Sequence, residues 1–167
     1  MIFFDYEFEA PVELYDFGRM AYTVVYLPRE IEQELPFDEH PRLRINAEVN
    51  DYPLEGAWQP GGKIGDGRYY LILSRHFLKQ IESEVGSVVE VRFGIADQNH
   101  VDVPEELERA LAEEDEARAA WEQMTPGKQR AVAHRVDSAK RAETRAKRVA
   151  GVLEWLNKGT QDIRELG

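Results

Sequence analysis

The chain has 167 residues, 43% of them hydrophobic and 32% charged, with a formal net charge of −11. That length suits one large domain or two small ones and is enough to bury a real core. The absence of cysteine excludes disulfides, thiolate metal ligands and a cysteine nucleophile, and fits a reducing compartment, with the cytoplasm as the expected location.

The N-terminal segment alternates, with Ile2, Phe4, Tyr6 and Phe8 on one face and Phe3, Asp5, Glu7 and Glu9 on the other. Period two with aromatic residues predicts a half-buried strand. The same stretch lacks a basic region ahead of an apolar one, so no secretory signal is expected. No apolar run approaches the ~20 residues of a membrane span. Tyr22 to Leu27 reads as a second strand, ended by Pro28, which is well placed to open a short helix that Pro36 closes. Leu43, Ile45, Ala47 and Val49 form the inner face of a third strand, with a fourth at 52–58 and a fifth at Arg68–Leu73. Ser74 is a candidate N-cap for a short helix burying Phe77, Leu78 and Ile81. A turn at Val85-Gly86 leads into Val89, Val91, Phe93 and Ile95, the sixth strand.

Six short strands with two small helices predict a closed or nearly closed barrel over residues 1–97, since closure removes exposed edges; a β-sandwich is the alternative. After Asp97 the period switches to that of helices, so residues 98–167 are expected to form a helical module of three or four helices, and the fold class is α+β. Asp102 and Glu105 are spaced as a capping box, with Leu107, Ala110 and Leu111 on one stripe. Asp115 is a candidate cap for the next helix, which carries Ala117, Ala120, Trp121 and Met124. Thr125-Pro126 starts a third. From there to Gly159, one long helix or two with a break near Lys140 both fit the apolar spacing.

Charge is unevenly distributed. Between Lys128 and Arg148 stand eight Lys/Arg against Asp137 and Glu143, a local +6 that leaves −17 on the rest of the chain. On a continuous helix of ~3.6 residues per turn, Arg130, His134, Arg141, Arg145 and Arg148 share one side, opposite Val132, Val136 and Ala139. Such a stripe is either an anion-binding surface, or a solvated face that balances the acidic remainder. Net charge disfavours nucleic acid as a partner, and no aromatics interleave the cations for base stacking. The Gly61–Gly67 stretch lacks the GxxxxGK[ST] spacing of a phosphate loop. His40, His76, His100 and His134 are scattered without ligand spacing, so neither metal nor other cofactor is expected. Asp66, Arg68, Tyr70, Arg75 and His76 form an alternative cleft at the expected barrel mouth, for a small ligand or for acid–base chemistry. An exposed Trp58 or Trp155 would mark an oligomer interface.

Val103-Pro104, Thr125-Pro126-Gly127-Lys128-Gln129-Arg130, Ser138-Ala139-Lys140, Glu143-Thr144-Arg145 and Lys147-Arg148 together resemble the bacterial YdeI/OmpD-associated, or bacteriocin-protection, family. Gly67–Ser74, followed by Val85-Gly86 and the VVEVRF run, resembles the small β-barrel domain of unknown function 1905 that often precedes that helical module. Arg135 stands where related sequences often carry an aromatic residue, and Ala142 where proline is common. The resemblance implies a barrel followed by helices and a role in tolerance of antimicrobial peptides or envelope stress, and brings no catalytic residues. The resulting expectation is a binding or adaptor protein rather than an enzyme. It would take an unknown protein or anionic ligand through Arg130, Lys140, Arg141, Glu143, Thr144, Arg145 and Arg148, with an oligomer as a further option.

Overall fold

The computed structural model describes residues 4–159 and 162–166. Ile2 and Phe3 of the predicted first strand lie outside that set. The chain divides into two compact units, one ending at Gln98 and the other beginning at Asn99.

Among the described residues the N-terminal unit holds seven strands in two antiparallel sheets. The first sheet has the order β1-β7-β4-β5, with β1 at Tyr6–Pro11, β4 at Leu43–Val49, β5 at Tyr52–Trp58 and β7 at Val88–Ile95. The second has the order β2-β3-β6, with β2 at Glu13–Asp16, β3 at Ala21–Tyr26 and β6 at Tyr70–Ile72. The predicted alternation of β4 is realised: Leu43, Ile45, Ala47 and Val49 are buried, while the residues between them are not. They share one core with Val89, Val91 and Phe93 of β7 and with Val25, Leu27, Leu71 and Leu73 from the second sheet and its flanks. Trp58 lies within it, fully buried and edge-on to Phe93 at 5.3 Å, and Tyr6 stacks on Phe93 at 5.0 Å.

The sheets do not close into the expected barrel. Val12 carries the chain from β1 to β2, held by its N–H to the Ser87 carbonyl and by the Gly86 N–H to its own carbonyl, each at 2.8 Å. On the other side, β5 and β6 are joined by the single bridge Gln59↔Tyr70, with bonds of 2.8 and 3.0 Å. Pro60 follows immediately and has no N–H with which to extend a ladder. The seventh strand, β2, went unpredicted because its four residues carry no clear pattern: Leu14 is exposed and only Tyr15 is buried.

Two short helices complete the unit, α1 at Arg29–Glu32 and α2 at Arg75–Gln80. Ser74 caps α2 as expected, its Oγ accepting from the Phe77 N–H at 3.1 Å. Phe77, Leu78 and Ile81 enter the common core. The opposite face of the second sheet carries a separate tyrosine cluster in which Tyr15 stacks on Tyr70 at 4.6 Å and Tyr26 is buried beside them. The glycine loop runs against this cluster, and a Cβ on Gly61 would lie 1.9 Å from the Arg68 carbonyl oxygen.

Among the described residues the second unit has four α-helices: α3 at Glu105–Glu113, α4 at Asp115–Glu122, α5 at Pro126–Asp137 and α6 at Ala142–Asn157. Leu107, Leu111, Ala117, Trp121, Val132, Val136, Val149, Val152 and Trp155 form its core. Thr125 caps α5 as the sequence indicates, accepting from Lys128 N–H at 3.4 Å. The proposed caps Asp102 and Asp115 do not act: α3 and α4 have no side-chain cap, and Asp102 instead meets His100 Nε2 at 2.7 Å. Trp58 and Trp155 are both buried, so neither marks an exposed oligomer patch.

Gly61→Ala should destabilise the protein by about 1–3 kcal/mol, because the added methyl meets backbone that cannot swing aside. Gly127→Ala, where a Cβ meets nothing within 4 Å, should leave stability unchanged or raise it by up to about 1 kcal/mol. Denaturant titration of both variants checks the pair.

Candidate functional site

Of the two arrangements that fit the spacing after Thr125, the structure has two helices with a break around Lys140. The chain leaves α5 at Ser138 and re-enters helix after Arg141, whose backbone is extended. The single cationic stripe therefore does not exist: Arg130 and His134 belong to α5, and Arg141, Arg145 and Arg148 to the start and first half of α6.

Arg145 faces inward, toward α3 and the end of α5. Its Nε and Nη2 donate to the two carboxylate oxygens of Glu106 on α3 at 2.8 and 3.1 Å. Its Nη1 donates to the carbonyls of Asp137 and Ala139 at 3.0 and 3.2 Å. Arg148 Nη1 donates to the Arg135 carbonyl at 2.6 Å and to Ser138 Oγ at 3.1 Å. The last carbonyls of a helix have no intrahelical partner, and these two arginines supply the donors at the end of α5. The arrangement satisfies backbone acceptors and, through the fork–fork pair with Glu106, ties α3 to α6. Arg130 also reaches backbone, its Nη1 donating to the His100 carbonyl at 3.1 Å.

Lys140, Arg141, Glu143 and Lys147 are exposed. Glu143 and Lys147, one turn apart, do not pair, and Lys140, Arg141 and Lys147 make no ion pair among the described residues. Glu143 sits in the first turn of α6, where the helix dipole favours an acid.

Lys147 and Arg148 line a recess of about 360 Å³ with Arg135 of α5. Thr144 supplies its hydroxyl group, and Gly151 and Leu166 its apolar part. No carboxylate is among the lining residues. Arg135 and Lys147 are absent from the binding set chosen on sequence. On sequence Arg135 is one of eight cations and a departure from an aromatic residue, and the apolar spacing fits either one helix or the two that converge here.

The alternative cleft is not assembled. Asp66, Arg68 and Tyr70 gather around Tyr26, where Arg68 lies 3.8 Å from the ring centroid and donates to the Gly65 carbonyl at 3.3 Å. Burial pushes the Tyr26 and Tyr70 hydroxyls above their ordinary range, with Arg68 pulling Tyr26 back. The Asp66 carbonyl accepts from Arg29 Nη2 at 2.7 Å. Arg75 and His76 lie on α2, whose apolar face enters the core on the other side of β6. With no closed barrel there is no mouth for the five to line. Among the described residues, no group of three or more His, Asp or Glu is placed to hold a metal ion, and no helix is long and apolar enough to cross a membrane.

An open two-sheet unit followed by four helices defines a two-module α+β protein, and comparison with family models matches each module separately. Residues 8–93 match the domain of unknown function DUF1905, and residues 100–159 match the family described as bacteriocin-protection, YdeI or OmpD-associated. The first match spans just over half of the chain, and the chain belongs to the DUF1905 family, with a YdeI/OmpD-associated module following. No curated protein matches the chain significantly.

The Glu106–Arg145 pair has a pH signature. Hydrogen bonds from Arg145 hold the Glu106 carboxyl down to about 2 from its ordinary 4.5. A carboxyl depressed on folding contributes stability above its unfolded value, and that contribution fades as pH falls toward the folded one. Glu106→Gln should therefore flatten the loss of stability between pH 4.5 and about 2. Thermal melts of wild type and variant across that range measure the difference.

Proposed function

We propose that the protein is a non-enzymatic binding protein whose helical unit captures an anionic group of a partner in the α5–α6 recess. The single observation that supports this is the lining: Arg135, Lys147 and Arg148 with the Thr144 hydroxyl, and no acid. Cations held at the rim of a concave, low-dielectric site act on an anion more strongly than the same charges on a flat face. Lys140 and Arg141 at the start of α6 extend the positive field and steer an acidic partner toward it. The substitution of Arg135 for an aromatic residue gives this chain its third cation. In this reading Arg145, and Arg148 through its Nη1, maintain the recess by fixing the end of α5, and Glu143 has no direct contact with the ligand.

The bacteriocin-protection description of the helical module is compatible with an adaptor in a stress or tolerance response, and the lack of cysteine with work in the cytoplasm. A labelled oligoglutamate peptide and inorganic phosphate are the two probes. Arg135→Glu with Lys147→Glu should weaken binding of the effective probe roughly tenfold or more. Arg19→Glu with Lys79→Glu changes the net charge equally on exposed positions of the other unit and should weaken it little. Equal losses in both pairs, with folding retained by circular dichroism, would reduce the effect to net charge and sink the proposal.

A further inference from the structure

A second recess on the helical unit has the opposite chemistry. It encloses about 410 Å³ between α3, α4 and the start of α5, a size typical of small-molecule sites. Leu111 and Trp121, both almost wholly buried, form its floor beside Val103. Glu108 of α3 and Glu122 at the end of α4 stand at its rim, and neither carboxylate has an ion pair or hydrogen bond among the described residues. Arg118, the one cation of the lining, is already engaged by Asp115 at 2.8 Å. Gln129 donates through Nε2 to the Trp121 carbonyl at 2.8 Å, which leaves its amide oxygen as an additional acceptor.

The geometry points to a binding site for a linear aliphatic di- or polyamine. Two unpaired carboxylates at the rim accept from ammonium ends, and charge-assisted bonds of that kind are the stronger class. The methylene stem between the ends covers Leu111, Val103 and the indole, removing apolar surface from water. An ammonium held against Trp121 gains further from the negative face of the ring. A carboxylate or phosphate ligand would meet two like charges here, so this site and the α5–α6 recess select opposite ligands and stand or fall independently.

Titration calorimetry with 1,5-diaminopentane and with spermidine tests the site on the full-length chain. Saturable binding is expected for both, and Glu108→Gln with Glu122→Gln should weaken it roughly tenfold or more. Glu7→Gln with Glu9→Gln, exposed acids on β1, removes the same formal charge and should leave affinity within about twofold. Trp121→Phe, which preserves the floor but reduces the ring's pull on a cation, should weaken binding less than loss of the two acids. Equal losses in the two glutamate pairs would mean that the amines condense on an acidic protein without a site. Binding by a lysine-rich peptide of matched charge but by neither amine would also overturn the assignment.

Discussion

One guanidinium links three segments of the helical unit, around the apolar core that its helices share. Arg145 projects from the first turns of α6 and meets Glu106 of α3 with a parallel pair of bonds, while its remaining donors close the carbonyl end of α5. A planar fork with five donors is suited to this, and a lysine at the same place would offer one point charge and no bidentate match. With the α5 carbonyls satisfied, the chain can stop one helix, run extended through Arg141 and start another. The break in turn brings Arg135 near Lys147 and Arg148 and so forms the recess. Within the Glu-Thr-Arg stretch the arginine is thus architecture, while the threonine lines the recess. That arginine divides its donors between the Glu106 carboxylate and backbone carbonyls.

Local signals with a defined mechanism were legible in the sequence. Ser74 and Thr125 are followed by helices whose third residue donates to their hydroxyls, and the alternation in β4 placed each of its core residues correctly. Signals that depend on a global assumption fared worse. The basic stripe presupposed one continuous helix, and the break displaced half of it. The barrel presupposed that short strands remove every edge by closing. In the structure the continuity of Val12 and the halt at Pro60 leave two sheets around a shared core. Asp102 had the spacing of a capping box but was taken by His100 instead. No pattern in Glu13–Asp16 could announce β2, since a four-residue edge strand with one buried side chain lacks a period to read.

The candidate sites divide along the same line. Asp66, Arg68 and Tyr70 lie in a stacked tyrosine cluster and its supporting loop, while α2 carries Arg75 and His76 to the far side of the sheet. The two recesses of the helical unit depend on which helices meet, and sequence spacing alone does not encode that. Trp121 and Leu111 were visible as core positions. Glu108 and Glu122 were two among thirty-two acids, with nothing local to distinguish them from solvated ones.

The seam at Gln59↔Tyr70 has a consequence for motion. Among the described residues the backbone pairing of β5 with β6 rests on two hydrogen bonds, whereas β4 and β5 pair over seven residues. Local opening follows the path that breaks the fewest bonds and exposes the least apolar surface. The amides of Gln59 and Tyr70 should therefore exchange with solvent together, well before those of β4. The N-terminal unit would breathe along this line like a book along its open edge, letting solvent reach the rim of the core that the two sheets share.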